Sequence, residues 1–210
     1  MARARSEPFE IALATLRRRL REGTLRAGLR ITAVDVADDL KLSTTPVREV
    51  LSRLAGEGLL EDRRGQGFFV RQLGAGDIES LYRTSLALLL VAEAPRRAPV
   101  SAAGGEEDDS GEAGPVAEIE RLFAGWVAEA GSRSLTRNFR VVQYQLGVVR
   151  RLEPVVLGDL RAEADALAGL SGPDLRTLRL SALRQFHGRR IQAAETLARE
   201  LEASSARAKL

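Results

Sequence analysis

The sequence predicts a mostly α-helical chain in two parts, and three observations predict it. Apolar residues recur at helical spacing along most of the 210 residues. Two short apolar runs around a glycine-bearing tip, Leu59-Leu60 and Phe68-Phe69-Val70, interrupt that periodicity and read as a small β-hairpin. Charge is uneven: residues 1–73 carry 14 Lys and Arg against 10 Asp and Glu, while the remaining 137 carry 18 against 19. A compact basic segment beside a near-neutral one is the pattern of a polyanion-binding module joined to something else.

Composition closes off several function classes. There is no cysteine, which excludes disulfides, thiolate metal sites and cysteine nucleophiles. The single histidine, His187, excludes a multi-histidine metal centre and leaves any Ser-His-Asp scheme dependent on it. It is expected as a packing or surface residue. No catalytic residue, metal or cofactor is expected. No long apolar stretch suggests a membrane span. The N-terminal arginines lack the apolar run of a secretory signal, so a cytoplasmic protein is expected.

The first helix is expected from about Pro8 to Glu22, with Phe9, Leu13, Leu16 and Leu20 inward and Gly23 ending it. Leu29 and Ile31 form a short extended piece. Thr32 can cap a second helix that runs to Leu40, burying Val36, Ala37 and Leu40. Lys41–Thr45 form a tight turn. A third helix starts at Ser43-Thr44-Thr45-Pro46, where hydroxyls can cap the first amides and proline is tolerated. Val47, Val50, Leu51 and Leu54 repeat at i, i+3, i+4 and i+7, so that face is buried, and Arg48 lies off it. Glu49 and Arg53 are spaced to pair on the surface. The hairpin follows, its tip Arg63-Arg64-Gly65-Gln66-Gly67.

Residues 77–92 are helical again. From about 94 to 114 the chain is rich in Ala, Gly, Pro and acid and is expected to be a flexible linker. Three helical stretches complete it: Val116–Ala130 with Trp126, Thr136–Ala168 with a break or kink at Pro154, and about 173–203, with Leu180, Leu183, Ala194, Leu197 and Leu201 inward.

Two short helices, a tight turn and a hairpin with an arginine tip make a winged helix-turn-helix. A helix fits the major groove of B-DNA and reads base edges from its N-terminal end. Ser43, Thr44 and Thr45 stand at that end, and Arg48 one turn in can reach a phosphate or a guanine edge. Arg63 and Arg64 on the wing would reach the neighbouring groove, with Gly65, Gln66 and Gly67 letting the hairpin lie close. The expected partner is double-stranded DNA.

The run from Leu42 through Pro46-Val-Arg-Glu-Val to Leu60, with the wing Arg63-Arg-Gly-Gln-Gly-Phe-Phe-Val, resembles the GntR family of bacterial transcription regulators over about residues 9–73. The resemblance implies a homodimer on a short inverted repeat, with contacts at Ser43, Thr44, Thr45, Arg48, Arg64 and Gly65. Val34 stands where many relatives have an arginine. The helical remainder, 77–210, is similar to the dimerisation and effector domain of the FadR-like branch. Arg83 then falls where relatives keep a pocket arginine, with Tyr82 beside it. Those relatives often hold a metal with one aspartate and three histidines, a site that one histidine cannot build, and Ala87 replaces their usual glutamate. The expected function is a DNA-binding regulator, a repressor, modulated by a small molecule in the helical domain. The alternative gives that domain dimerisation or a protein partner and no ligand. A small enzyme is disfavoured by the missing cysteine, histidine pair and phosphate loop.

Overall fold

The computed structural model describes residues 3–94, 114–172 and 175–207. Two compact units divide the chain, one built on the residues up to Leu73 and the other on Gly74–Ser204. The expected linker lies, except for its two ends, outside the described residues.

The first unit holds α1 (Arg3–Arg21), β1 (Arg30–Ile31), α2 (Ala33–Leu40), α3 (Thr44–Gly56), β2 (Leu60–Arg63) and β3 (Gly67–Val70). Leu13, Leu16 and Leu20 of α1 are buried, as their spacing requires. The helix starts earlier than expected, so Pro8 lies inside it, where it forgoes one backbone hydrogen bond. Thr32 caps α2, its hydroxyl accepting the Asp35 N–H at 3.1 Å. Lys41 ends α2 in the left-handed region, φ 57°, and the chain turns directly into α3. Val47, Val50, Leu51 and Leu54 of α3 are fully buried. α1 and α2 both pack on α3. Arg17 of α1 donates to both Glu57 oxygens at 2.8 Å and so ties α1 to the end of α3.

The extended piece near Ile31 becomes a true strand. The sheet is three-stranded and antiparallel in the order β1-β3-β2, with Ile31 opposite Phe68, Leu60 opposite Val70 and Arg63 opposite Gly67. The hairpin is therefore backed on its second edge by β1.

The second unit is all helical: α4 (Ala75–Ala92), α5 (Pro115–Glu129), α6 (Arg133–Arg150), α7 (Glu153–Leu157), α8 (Arg161–Ala168), α9 (Arg176–Gln192) and α10 (Ala194–Arg207). α4 packs against α5, α6 and α9, and α5 against α6 and α8. The expected stretch 136–168, with its break or kink at Pro154, is three helices. Pro154 begins α7 in its first turn, where its missing N–H has no intrahelical acceptor, and Gly158 at φ 80° ends it. The last expected helix is also two, interrupted at Ala193 with no glycine or proline to mark the place. Phe123 centres the core, its ring 5.5 Å from Trp126, 5.0 Å from Phe186 and 5.9 Å from His187. Arg179 holds α9 to the end of α4 through two 3.0 Å bonds to Glu93. Among the described residues, no helix is long and apolar enough to cross a membrane.

Candidate nucleic-acid interface

The N-terminal end of α3 is open to solvent. Ser43 takes the extended N-cap conformation, φ −76° and ψ 156°, yet its side chain makes no capping hydrogen bond. The expected hydroxyl cap is thus not formed there, and the first amides of the helix stay available. Ser43, Thr45 and Arg48 are exposed and Thr44 is half-buried. Four buried apolar residues hold the opposite face, so the polar stripe cannot rotate inward without exposing the core. Thr45 and Arg48 are followed at helical spacing by exposed Ser52, which the motif reading left out. A polar residue seven places beyond Thr45 was the available signal.

The wing is set by its turn. Gln66 N–H donates to Arg63 C=O at 2.8 Å, and Gly65, third residue of that turn, has φ 72°. Only glycine adopts that conformation without penalty. Gly67 has φ 99°, and the Arg30 guanidinium lies over it: a Cβ there would sit 3.6 Å from Arg30 Nε. β1 thereby places a third arginine beside the wing, one that no motif in the hairpin itself could reveal. Arg63 and Arg64, neighbours in sequence, differ in what they do. Arg63 turns back, donating to Glu61 at 2.9 Å and stacking over the Phe69 ring at 4.3 Å. Arg64, exposed at the tip, has no ion-pair partner among the described residues. Gln66 is exposed beside it.

Charge pairing separates two sets of cations in this unit. Arg17 and Arg53 share Glu57, Arg19 pairs with Asp39 at 2.6 Å, and Arg63 with Glu61. The expected Glu49–Arg53 pair is replaced by Arg53–Glu57, because Glu57 at the helix end already gathers Arg17 and lies within 3.1 Å of Arg53. Arg30, Lys41, Arg48 and Arg64 are exposed and have no such partner among the described residues. The unneutralised charge therefore borders the open end of α3 and the wing.

The two effector candidates separate in the second unit. Arg83 is exposed and pairs with Glu79 at 2.7 Å, one turn back on the same helix. Tyr82 is fully buried and donates to Glu153 Oε1 at 2.6 Å. Burial, and then the carboxylate it faces, hold the Tyr82 phenol well above its usual pKa. Arg190 donates to Glu153 at 2.8 Å and to both oxygens of Glu163, and lies 3.3 Å over the Phe186 ring. His187 is buried in the same region. Its Nδ1–H donates to the Leu183 carbonyl at 2.8 Å, which leaves Nε2 to accept the Ser85 hydroxyl at 3.1 Å. Burial pushes its pKa down to about 3, against the Leu183 bond and with the help of the Arg150 and Arg190 charges. The serine partner of His187 comes from α4, 102 residues away, and sequence spacing could not show it. Among the described residues no group of three or more His, Asp and Glu could hold a metal ion.

Comparison with known proteins assigns the chain. The family model described as bacterial regulatory proteins, gntR family, matches residues 10–70. An uncharacterized HTH-type transcriptional regulator from the TAR-I ttuE-ttuC' intergenic region of Agrobacterium vitis is 31% identical over 125 residues, which cover 56% of this chain and 71% of that protein. The chain belongs to the GntR family. Residues 10–70 carry the family match, and the relatives named here are transcription regulators. The Nta operon transcriptional regulator of Aminobacter aminovorans is 47% identical over 57 residues, 27% of each chain, so this chain matches about a quarter of that relative's length. The regulator McbR of Escherichia coli K12 is 34% identical over 79 residues, 38% of this chain and 36% of its own. The solved structure of E. coli McbR/YncC shares the fold with a TM-score of 0.59 at 17% identity, over 92% of this chain and 97% of that one. A Rhodococcus sp. RHA1 structure described as a GntR regulator shares it with a TM-score of 0.50 at 21% identity, over 97% of both chains.

Proposed function

We propose that this GntR-family regulator represses transcription as a homodimer that binds an inverted-repeat operator through α3 and the wing. The observation that carries this reading is the placement of unneutralised charge. Of the cations in the first unit, those left without an acidic partner include Arg48 on α3, Arg64 at the wing tip, Arg30 beside Gly67 and Lys41 ahead of α3. Ser43, Thr44 and Thr45 supply hydroxyls and free amides at the groove end of the helix, where an anion is favoured. Gly65, Gln66 and Gly67 let the wing backbone approach a phosphate. Arg63 is committed to Glu61 and Phe69, so it shapes the wing while Arg64 makes the contact. Two heads on one palindrome add their free energies, which is how one short helix reaches useful specificity. The helical unit supplies the dimer and, in the FadR-like manner, the place for an effector. Within it Tyr82 stands in the buried polar cluster, whereas Arg83 stands on the surface.

Selection of genomic fragments by the purified chain at near-physiological salt, followed by sequencing, tests this. Enrichment of one short inverted repeat is the expected outcome. Uniform weak retention that disappears with added salt is phosphate attraction only and would overturn the sequence-specific reading.

A further inference from the structure

The strand register puts two arginines on the outer face of the sheet. Arg30 stands opposite Phe69, Glu61 stands opposite Phe69 from the other side, and Arg63 stands opposite Gly67. Side chains alternate along a strand, so these residues share one face, while Ile31, Leu60 and Val70 share the other and are buried. On the outer face the Arg63 guanidinium is taken by Glu61, at 2.9 and 3.1 Å, and lies over the Phe69 ring. Gly67 has no side chain, and the Arg30 guanidinium lies against the strand there. Its Nε and Nη2 are 3.6 and 3.8 Å from the point a Cβ would occupy. Arg30 is exposed and has no acidic partner among the described residues. Of the two guanidiniums on this face, one is neutralised and the other is not.

The cations that the wing offers are therefore Arg64 at the tip and Arg30 behind it, brought together by the β1–β3 pairing. With α3 in a major groove, the groove beside it is a minor groove. That groove is about 6 Å wide, too narrow for a hairpin but open to single long side chains. Its negative potential strengthens where it narrows over A-tracts, and an arginine gains from entering it there. A guanidinium is more weakly hydrated than an ammonium, so it enters at less cost. Lying against the strand at Gly67, Arg30 also has less rotamer freedom to lose than a freely swinging side chain.

We propose that Arg30 is a specificity-determining residue for operator binding: with Arg64 it senses the width of the minor groove flanking each half-site and selects A·T-rich flanks without touching a base edge. The inference rests on the reading that α3 and the wing bind an operator.

The test uses the full chain and the operator enriched by genomic selection. The base pairs flanking each half-site are made A·T, G·C or inosine·C in turn. Inosine lacks the guanine amino group, so it gives an A·T-like minor groove while the major groove keeps its G·C pattern. By fluorescence anisotropy, G·C flanks should bind more weakly than A·T flanks by about fivefold or more, the scale of one unfavourable base pair, and inosine flanks should restore tight binding. Arg30→Gln should bind all three flanks alike and still reject a mutated half-site. Arg30→Lys should keep the parent's salt dependence and lose the flank preference, a separation that a misfolded wing would not give. Equal binding of all three flanks by the parent, inosine flanks that behave like G·C, or a flank preference that survives in either variant would overturn the proposal and leave the operator reading standing. Failure to enrich any inverted repeat would overturn both.

Discussion

Arg48 and Arg64 in the first unit and Arg150 and Arg190 in the second are the same residue type in opposite surroundings. The first two stand in water without an acidic partner; the second two are wholly buried. An exposed arginine is supported by its hydration and contributes little to folding, so it is free to meet a phosphate or a base. A buried one must find partners inside the bundle, and the two terminal nitrogens of Arg190 do, on Glu153, Glu163 and the Phe186 carbonyl. The lesson is that charge on the proposed DNA-binding face is left free for a partner, whereas charge in the bundle organises the fold wherever it is paired. Arg150, whose buried guanidinium has no hydrogen bond among the described residues, is the exception.

The comparison breaks most visibly at Arg190. Arg190→Ala should destabilise the helical unit by about 3–5 kcal/mol, because it strands Glu153 and Glu163 rather than merely removing a contact. Urea denaturation followed by circular dichroism measures this. A change below 1 kcal/mol would mean that water already solvates those carboxylates. Arg48→Ala, by contrast, should leave the same denaturation curve unmoved.

Acid should distinguish the units next. His187 is neutral in the folded bundle, with its pKa pushed down to about 3 by burial among Tyr82, Arg150 and Arg190. In the unfolded chain it titrates near 6.5. The unfolded state therefore binds one more proton between those values, and stability present above pH 6.5 is lost as pH falls towards 3. The slope is about 1.4 kcal/mol per pH unit for this one group. His187→Gln should remove that increment, seen as a shallower loss of stability between pH 6.5 and 4.5. Equal slopes in both proteins would show that His187 is solvated and protonates in place.

How far these two regions were legible in the sequence follows from where their determinants lie. The proposed DNA-binding face lies within some 25 consecutive residues: the stripe Val47, Val50, Leu51, Leu54 fixes which side of α3 is buried, and Gly65 fixes the wing turn. Local periodicity and turn chemistry report such things directly. Arg30 was not legible, because its place beside Gly67 depends on β1 pairing with β3 across 39 residues of register. The bundle's cluster was less legible still. Ser85 meets His187 from α4, and Glu153 meets Arg190 from α7, through tertiary packing that has no spacing rule. The division of 136–168 into three helices was half legible: a break or kink was expected at Pro154, which stands in the first turn of α7, but the second division, after Gly158, was not read.

On the DNA side, Arg48→Ala and Arg64→Ala should each weaken operator binding by about 1–3 kcal/mol if they reach base edges. If they reach phosphates alone, the loss should be even across sequences and the salt dependence should fall by about one ion each. Fluorescence anisotropy with the selected operator at several salt concentrations separates the two. Arg63→Ala should act differently, loosening the wing through lost contact with Glu61 and Phe69. If all three variants bind like the parent, α3 and the wing do not face the DNA.

The smallest effect is expected at Lys41, where folding and binding pull apart within a single residue. Lys41 holds φ 57° at the end of α2, a conformation that strains any residue with a Cβ. Lys41→Gly relieves that strain but gives the unfolded chain more freedom, so the net gain should be about 0.5 kcal/mol. The same change deletes an exposed cation immediately before α3. The variant should therefore melt slightly higher while binding the operator less tightly, with a salt slope lower by about one. Opposite signs in the two assays would show that this position is kept strained for the sake of its charge. A glycine variant that is more stable and binds equally well would place Lys41 outside the interface and narrow the charged face to Arg30, Arg48 and Arg64.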